Sequence, residues 1–147
     1  MITRKSKREI KIMQKAGSIV AKTMTLIEKL LEPGVTTKFL DTEAEKFIRS
    51  HNAIPEFKGY GGFPASICAS INDEIVHGIP SKRKLKNGDI LSVDIGVRYE
   101  GYIGDSAKTF PIGKIDQKAQ KLLKVTQEAL NLGIQEAKPG NKLSDIA

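Results

Sequence analysis

Two aspartates, Asp94 in Ser92-Val-Asp-Ile-Gly96 and Asp105 in Gly104-Asp-Ser-Ala107, stand eleven residues apart in segments whose apolar pattern predicts strands. Carboxylates are disfavoured in strand interiors. If the two face one another, each raises the proton affinity of the other, and the arrangement is costly unless a proton or a cation lies between them. A divalent metal is the simplest such cation. The same residues also fit an amphipathic hairpin whose polar face meets solvent, and the pair alone does not choose between these readings.

The elements that must position them can be read from periodicity. From Asp89 to Tyr99, residues Leu91, Val93, Ile95, Val97 and Tyr99 alternate with Ile90, Ser92, Asp94, Gly96 and Arg98, the period of a half-buried strand with Asp94 on its polar face. Tyr102 to Phe110 reads as the returning strand, with Asp105 on the face of Ile103, Ala107 and Thr109 and with Glu100-Gly101 as the turn. The register stays open. An even-length loop centred between Tyr99 and Glu100 sets the carboxylates directly opposite, with Cβ atoms roughly 4.5 to 5.5 Å apart. A three-residue loop with Gly101 left-handed offsets them by one and requires a second bulge, at Gly104, to bring both to one face. A bulge is the expectation.

Upstream, Ser6-Lys-Arg-Glu9 forms a capping box ahead of a helix whose face is marked by Ile10, Met13, Gly17, Val20, Met24, Ile27 and Leu31 and which ends at Pro33-Gly34. A second helix is predicted from Thr37 as N-cap to about Ser50, burying Leu40, Ala44, Phe47 and Ile48. Tyr60-Gly-Gly-Phe-Pro64 is a loop read as a flexible wall; no strand leads into it and no helix follows, so it is not a phosphate-binding fingerprint. Ala65–Ile71 and Ile75–His77 read as short strands around a turn. From Asp116 to about Ala137, Ala119, Leu122, Leu123, Val125, Thr126, Ala129, Leu130 and Ile134 mark a third helix, and a fourth begins near Leu143 and is cut at Ala147. The chain reads as truncated, because the first turn of a helix is a costly nucleus.

Composition narrows the chemistry. A chain of 147 residues with 39% hydrophobic and 28% charged residues suffices for one compact domain and argues against disorder. No stretch approaches the roughly 20 apolar residues of a membrane span, and no apolar run follows the opening charges, so a cytoplasmic protein is expected. The single cysteine, Cys68, rules out an intramolecular disulfide and, with only His51 and His77 beside it, argues against a zinc finger. Any metal must therefore prefer oxygen ligands. The net charge of +7 collects on the opening helix and on the loop Lys82-Arg83-Lys84-Leu85-Lys86. Without interleaved aromatics these clusters do not predict sequence-specific nucleic-acid binding.

Tyr60-Gly-Gly-Phe-Pro64, Ile67-Cys-Ala-Ser-Ile-Asn-Asp-Glu-Ile-Val-His-Gly-Ile-Pro80, Gly88-Asp-Ile-Leu-Ser-Val-Asp-Ile-Gly96 and Gly101-Tyr-Ile-Gly-Asp-Ser-Ala107, in that order and spacing, resemble the type I methionine aminopeptidases. The resemblance runs the whole length of the chain and covers the N-terminal half or so of that family's catalytic domain. It implies one half of the α/β (α+β type) pita-bread fold, a curved antiparallel sheet covered by helices. It implies that Asp94 chelates one of two divalent metals (cobalt, manganese, iron or zinc) and that Asp105 bridges both. By the same resemblance His77 reaches the scissile amide without ligating metal, and Tyr60, Phe63 and Cys68 line the pocket for the methionine side chain. Phe63 stands where relatives often carry tyrosine.

The remaining ligands of the family, one histidine and two glutamates, belong to the other half. The expectations are thus weak metal binding and no hydrolysis by this chain alone, with exposed apolar surface inviting self-association. The implied substrate is the N-terminus of nascent polypeptides, and ribosome contact through residues 82–86 is a further expectation. Two other readings compete: a metal-free pita-bread domain that binds the ribosome or a protein partner, and a proline-specific relative of the same fold, which the Cys68 and His77 context fits poorly.

Overall fold

The computed structural model describes residues 3–146 in two compact units, residues 3–114 and 115–146. The first two residues of the opening segment, and Ala147 at the end of the expected fourth helix, lie outside them.

In the first unit, helix α1 (Lys7–Leu30) and helix α2 (Thr37–Ser50) precede four antiparallel strands: β1 (Ile54–Pro55), β2 (Cys68–Ile71), β3 (Ile90–Tyr99) and β4 (Tyr102–Pro111). Strand β3 is central. It pairs with β4 along one edge for its full length, and along the other with β2 and then β1. The alternation read from the sequence is realised: Leu91, Val93, Ile95 and Val97 are fully buried against Ile19, Val20, Ile27, Leu40, Ala44 and Ile48 of the helices. Fully burying such aliphatic side chains contributes roughly 1.5 to 3 kcal/mol each. One face of the sheet is therefore core, and the other is free to carry chemistry.

The hairpin register differs from expectation. Glu100 and Gly101 both have positive φ, 47° and 83°, the pattern of a two-residue type I′ turn, which matches strand twist without a bulge. Pairing is unbroken from Tyr99↔Tyr102 to Ile90↔Pro111, so the bulge expected at Gly104 does not exist. Gly104 is glycine for another reason. A Cβ there would lie 2.6 Å from the backbone nitrogen of Gly17 and 2.7 Å from the carbonyl carbon of Ala16, where α1 crosses β4.

Helix α1 starts with the predicted capping box, Ser6 Oγ accepting from the Glu9 N–H and the Glu9 carboxylate accepting from the Ser6 N–H. Its buried face is Ala16, Ile19, Val20, Thr23, Met24 and Ile27, while the expected Ile10 and Met13 are exposed. The first turns lie beside the hairpin tip, where Tyr102 donates to Glu9. In α2 the N-cap is Thr36, which accepts from the Phe39 N–H. Its neighbour Thr37, the expected cap, bonds both backbone groups of Ser81 instead. Ile75–His77 is not a strand: Val76 takes a φ of +53° and the chain turns back on itself.

The carboxyl of Glu9 is held down at about 2 by the Ser6 backbone N–H, then by the Ser6 and Tyr102 hydroxyls. A lowered carboxyl stabilises the fold above its unfolded value, and that contribution is lost as pH falls toward the folded value. Glu9→Gln is expected to melt below the parent at neutral pH, with the difference closing as pH falls from about 4.5 to about 2. Thermal melts of both proteins across that range check this.

In the second unit, helix α3 (Gln117–Glu136) is capped by Asp116, whose side chain accepts from the Ala119 N–H. None of its residues is buried, so the predicted apolar face is uncovered, with Leu122, Val125, Leu130 and Ile134 all exposed. The expected fourth helix is a single 3-10 turn, Leu143–Asp145.

Candidate metal centre and substrate cleft

All six residues singled out from the sequence, Tyr60, Phe63, Cys68, His77, Asp94 and Asp105, line one cleft of about 760 Å³ on the sheet face opposite the helices. The register explains how the strands bring three of them together. Cys68 on β2 is paired with Asp94 on β3. Asp94 is paired with Ala107 on β4, and Asp105 with Gly96. The carboxylates therefore share a face but are diagonal neighbours rather than opposite ones, a geometry whose Cα separation is about 7 to 8 Å and which side chains still bridge. Further along the same face the Ser92 and Thr109 hydroxyls bond at 2.8 Å.

The rest of the cleft comes from loops. Tyr60–Gly62 forms a 3-10 turn closed by bonds from Gly59 to the Phe63 carbonyl (2.8 Å) and from Phe63 to the Tyr60 carbonyl (2.9 Å). His77 stands exposed beyond β2. Glu56, Phe57, Ile79 and Ile103 also line the cleft and were not legible in the sequence as site residues. Only the alternation that put Ile103 on the face of Asp105 hinted at one of them.

The electrostatics centre on Asp94. Burial raises its carboxyl above the usual range, the charge of Asp105 raises it further, and the Ile95 backbone and His77 oppose the shift. Its Oδ1 is buried and has no hydrogen-bond partner. A buried carboxylate oxygen without a donor carries a desolvation cost, and a hard divalent cation at that oxygen offsets it. Two carboxylates suit such an ion in kind but not in number. Among the described residues no group of three or more His, Cys, Asp or Glu is placed to hold a metal. Burial first, and then the Asp94 and Asp105 charges, push the Cys68 thiol up to about 11. At neutral pH it is an uncharged, polarizable wall rather than a thiolate.

One residue that anchors this wall escaped the sequence reading. Asp41 on α2 is buried, and its Oδ1 accepts from the backbone N–H of Ser66 (2.7 Å) and of Ile67 (3.3 Å), directly before Cys68. Its other oxygen meets Lys38 at 2.8 Å. Asp41→Ala leaves two buried donors unpaired and is expected to cost about 3 kcal/mol, while Asp41→Asn keeps the acceptor and costs less. Denaturant unfolding of the two variants checks the order.

The sequence model described as Metallopeptidase family M24 matches residues 11–147. Methionine aminopeptidase 1 of Bacillus subtilis is 55% identical over 147 residues, all of this chain and 59% of that protein. A methionine aminopeptidase of Clostridium acetobutylicum is 56% identical over 148 residues, again all of this chain and 59% of the relative. Among solved structures, methionine aminopeptidase from Rickettsia prowazekii superposes with a TM-score of 0.96 at 41% identity, over 99% of this chain and 59% of that one. The chain thus spans about three fifths of the length of the curated relatives it matches. The helix-covered antiparallel sheet expected from the sequence is the architecture shared with these structures.

Proposed function

Because the chain belongs to metallopeptidase family M24, we propose that it forms the N-terminal half of an enzyme that removes the initiator methionine from nascent polypeptides. The observation that carries this reading is the convergence of Asp94, Asp105, His77 and Cys68 on one cleft with an unpartnered carboxylate oxygen at its floor.

Each residue has a task that its surroundings suit. Asp94 and Asp105 present oxygens from two paired strands, a rigid mount for hard divalent ions. Two such ions, if bound there, would supply a Lewis acid for the scissile carbonyl and an activated water. His77, exposed above the cleft, is free to donate from its imidazole to the amide as charge develops. Tyr60, Phe63 and the neutral Cys68 thiol give an apolar and polarizable surface matched to a thioether side chain. Two ligands alone leave the site open, so the 147-residue chain is assigned no hydrolytic activity by itself.

The test is hydrolysis of a Met-Ala-Ser peptide with added manganese, by this chain and by a form extended to the length of the relatives. Turnover in the extended form alone is the expected result. Turnover by the short chain at the same rate overturns the divided site, and a manganese-independent rate in the extended form overturns the metal reading. A metal-free binding module predicts no turnover in either.

Ribosome contact remains part of the proposal through the basic loop, though not all of it is available. Arg83 is paired with Glu74 and Leu85 is buried, leaving Lys82, Lys84 and Lys86 facing solvent. Charge reversal at these three lysines should abolish salt-sensitive cosedimentation with ribosomes, and an unchanged pellet removes the idea. The uncovered apolar face of α3 supports self-association of the isolated chain. Among the described residues no helix is long and apolar enough to cross a membrane.

A further inference from the structure

His77 sits in a segment that little else holds in place. Its neighbours Ile75 and Val76 are 86% and 59% exposed, so burial does not fix the backbone there. The His77 N–H bonds the Ile75 carbonyl at 2.8 Å, closing a three-residue turn with Val76 at its centre and a φ of +53°. A β-branched residue in that region is strained and persists only where the surroundings impose it.

The imposing group is Ser70 of β2. It is buried, and its hydroxyl donates to the Val76 carbonyl (2.6 Å) while accepting from the Gly78 N–H (3.0 Å). One hydroxyl thereby grips the residue before His77 and the residue after it. A third bond, from the Ala69 N–H to the Gly78 carbonyl (2.9 Å), presses the segment onto β2. The approach is so close that a Cβ on Gly78 would lie 2.5 Å from the Ala69 carbonyl oxygen. On the sheet, Ser70 points to the cleft side, two residues from Cys68, while Ala69 and Ile71 point into the core.

We infer that Ser70 is the positioning residue for His77, its hydroxyl holding the strained turn that presents the imidazole to the cleft. The catalytic part of this inference rests on the role given to His77 above. The clamp itself does not.

The experiment has one arm for each part. In the 147-residue chain, hydrogen exchange is compared between the parent, Ser70→Ala and Ser70→Thr, with the Leu91 and Val93 amides reporting global folding. Ser70→Ala should speed exchange at Gly78 at least tenfold while the β3 amides keep their protection, and should move the His77 imidazole resonances but not those of His51. The threonine variant keeps the hydroxyl and should restore both readouts. Unchanged exchange at Gly78 in the alanine variant overturns the clamp, as does an equal loss at the β3 amides that the threonine variant fails to restore.

In the form extended to the relatives' length, Ser70→Ala should lower kcat on Met-Ala-Ser roughly 10- to 100-fold with KM nearly unchanged, since a misplacement of about 1 Å can cost that much. It should have no further effect when His77 is already alanine. A normal kcat in Ser70→Ala, where His77→Ala is impaired, overturns the positioning role. If His77→Ala is itself as active as the parent, the function assigned to His77 has failed, and the exchange arm decides the clamp independently.

Discussion

Asp105→Asn is expected to eliminate peptidase turnover in a form extended to the relatives' length, by more than the roughly 10- to 100-fold that losing an outer-shell partner of a metal costs. Asparagine keeps the size and one acceptor but removes the charge, and Asp105 with Asp94 forms the pair of strand carboxylates that share the cleft face of the sheet. Asp94→Asn should be equally inactive but differ in stability. The Asp94 Oδ1 is buried without a partner and its carboxyl lies near that of Asp105, so neutralising it relieves both desolvation and repulsion. The metal-free Asp94→Asn chain should therefore melt above the parent. Steady-state kinetics check the shared loss of turnover and thermal melts separate the two variants, and a destabilised Asp94→Asn would contradict this account of the site.

Gly104→Ala should be strongly disruptive for a single added methyl group. The new Cβ meets backbone atoms of Ala16 and Gly17 at 2.6 to 2.9 Å, and no side chain can rotate away to make room. Helix α1 must lift from β4, which disturbs the packing of Ile19, Val20 and Met24. Overpacking of this kind costs about 3 kcal/mol, a fall in melting temperature on the order of 10 °C. Because Asp105 is the next residue along β4, the shift should also reach the cleft. Calorimetric melting checks the first effect. A variant as stable as the parent would mean that the helix seats differently from the arrangement described.

The central hairpin was legible because its two requirements are local. Alternation from Asp89 to Tyr99 sets the faces, and Glu100-Gly101 supplies the turn. The separation of the carboxylates was not, because moving the loop centre by one residue shifts pairing by two, which preserves the face while turning an opposite pair into a diagonal one. Gly104 was misread for a different reason. A glycine within a strand signals either a bulge or a close approach, and the approaching backbone, Ala16–Gly17, is remote in sequence. Val76 and Ile75 have strand-forming side chains, yet the turn that Ser70 imposes overrides them. Asp41 offered no signal, since a lone aspartate on a helix ordinarily faces water. Cys68, His77, Tyr60 and Phe63 entered through resemblance rather than through spacing. The geometry adds that they and the aspartates line a common cleft.

The most direct test is calorimetric titration of manganese into the 147-residue chain and into the Asp94→Asn/Asp105→Asn double variant, at a pH where both are folded. The account predicts weak but measurable binding by the parent, accompanied by a rise in melting temperature, and neither effect in the double variant. Equal binding by both proteins would place the metal elsewhere and remove the carboxylate pair from the chemistry.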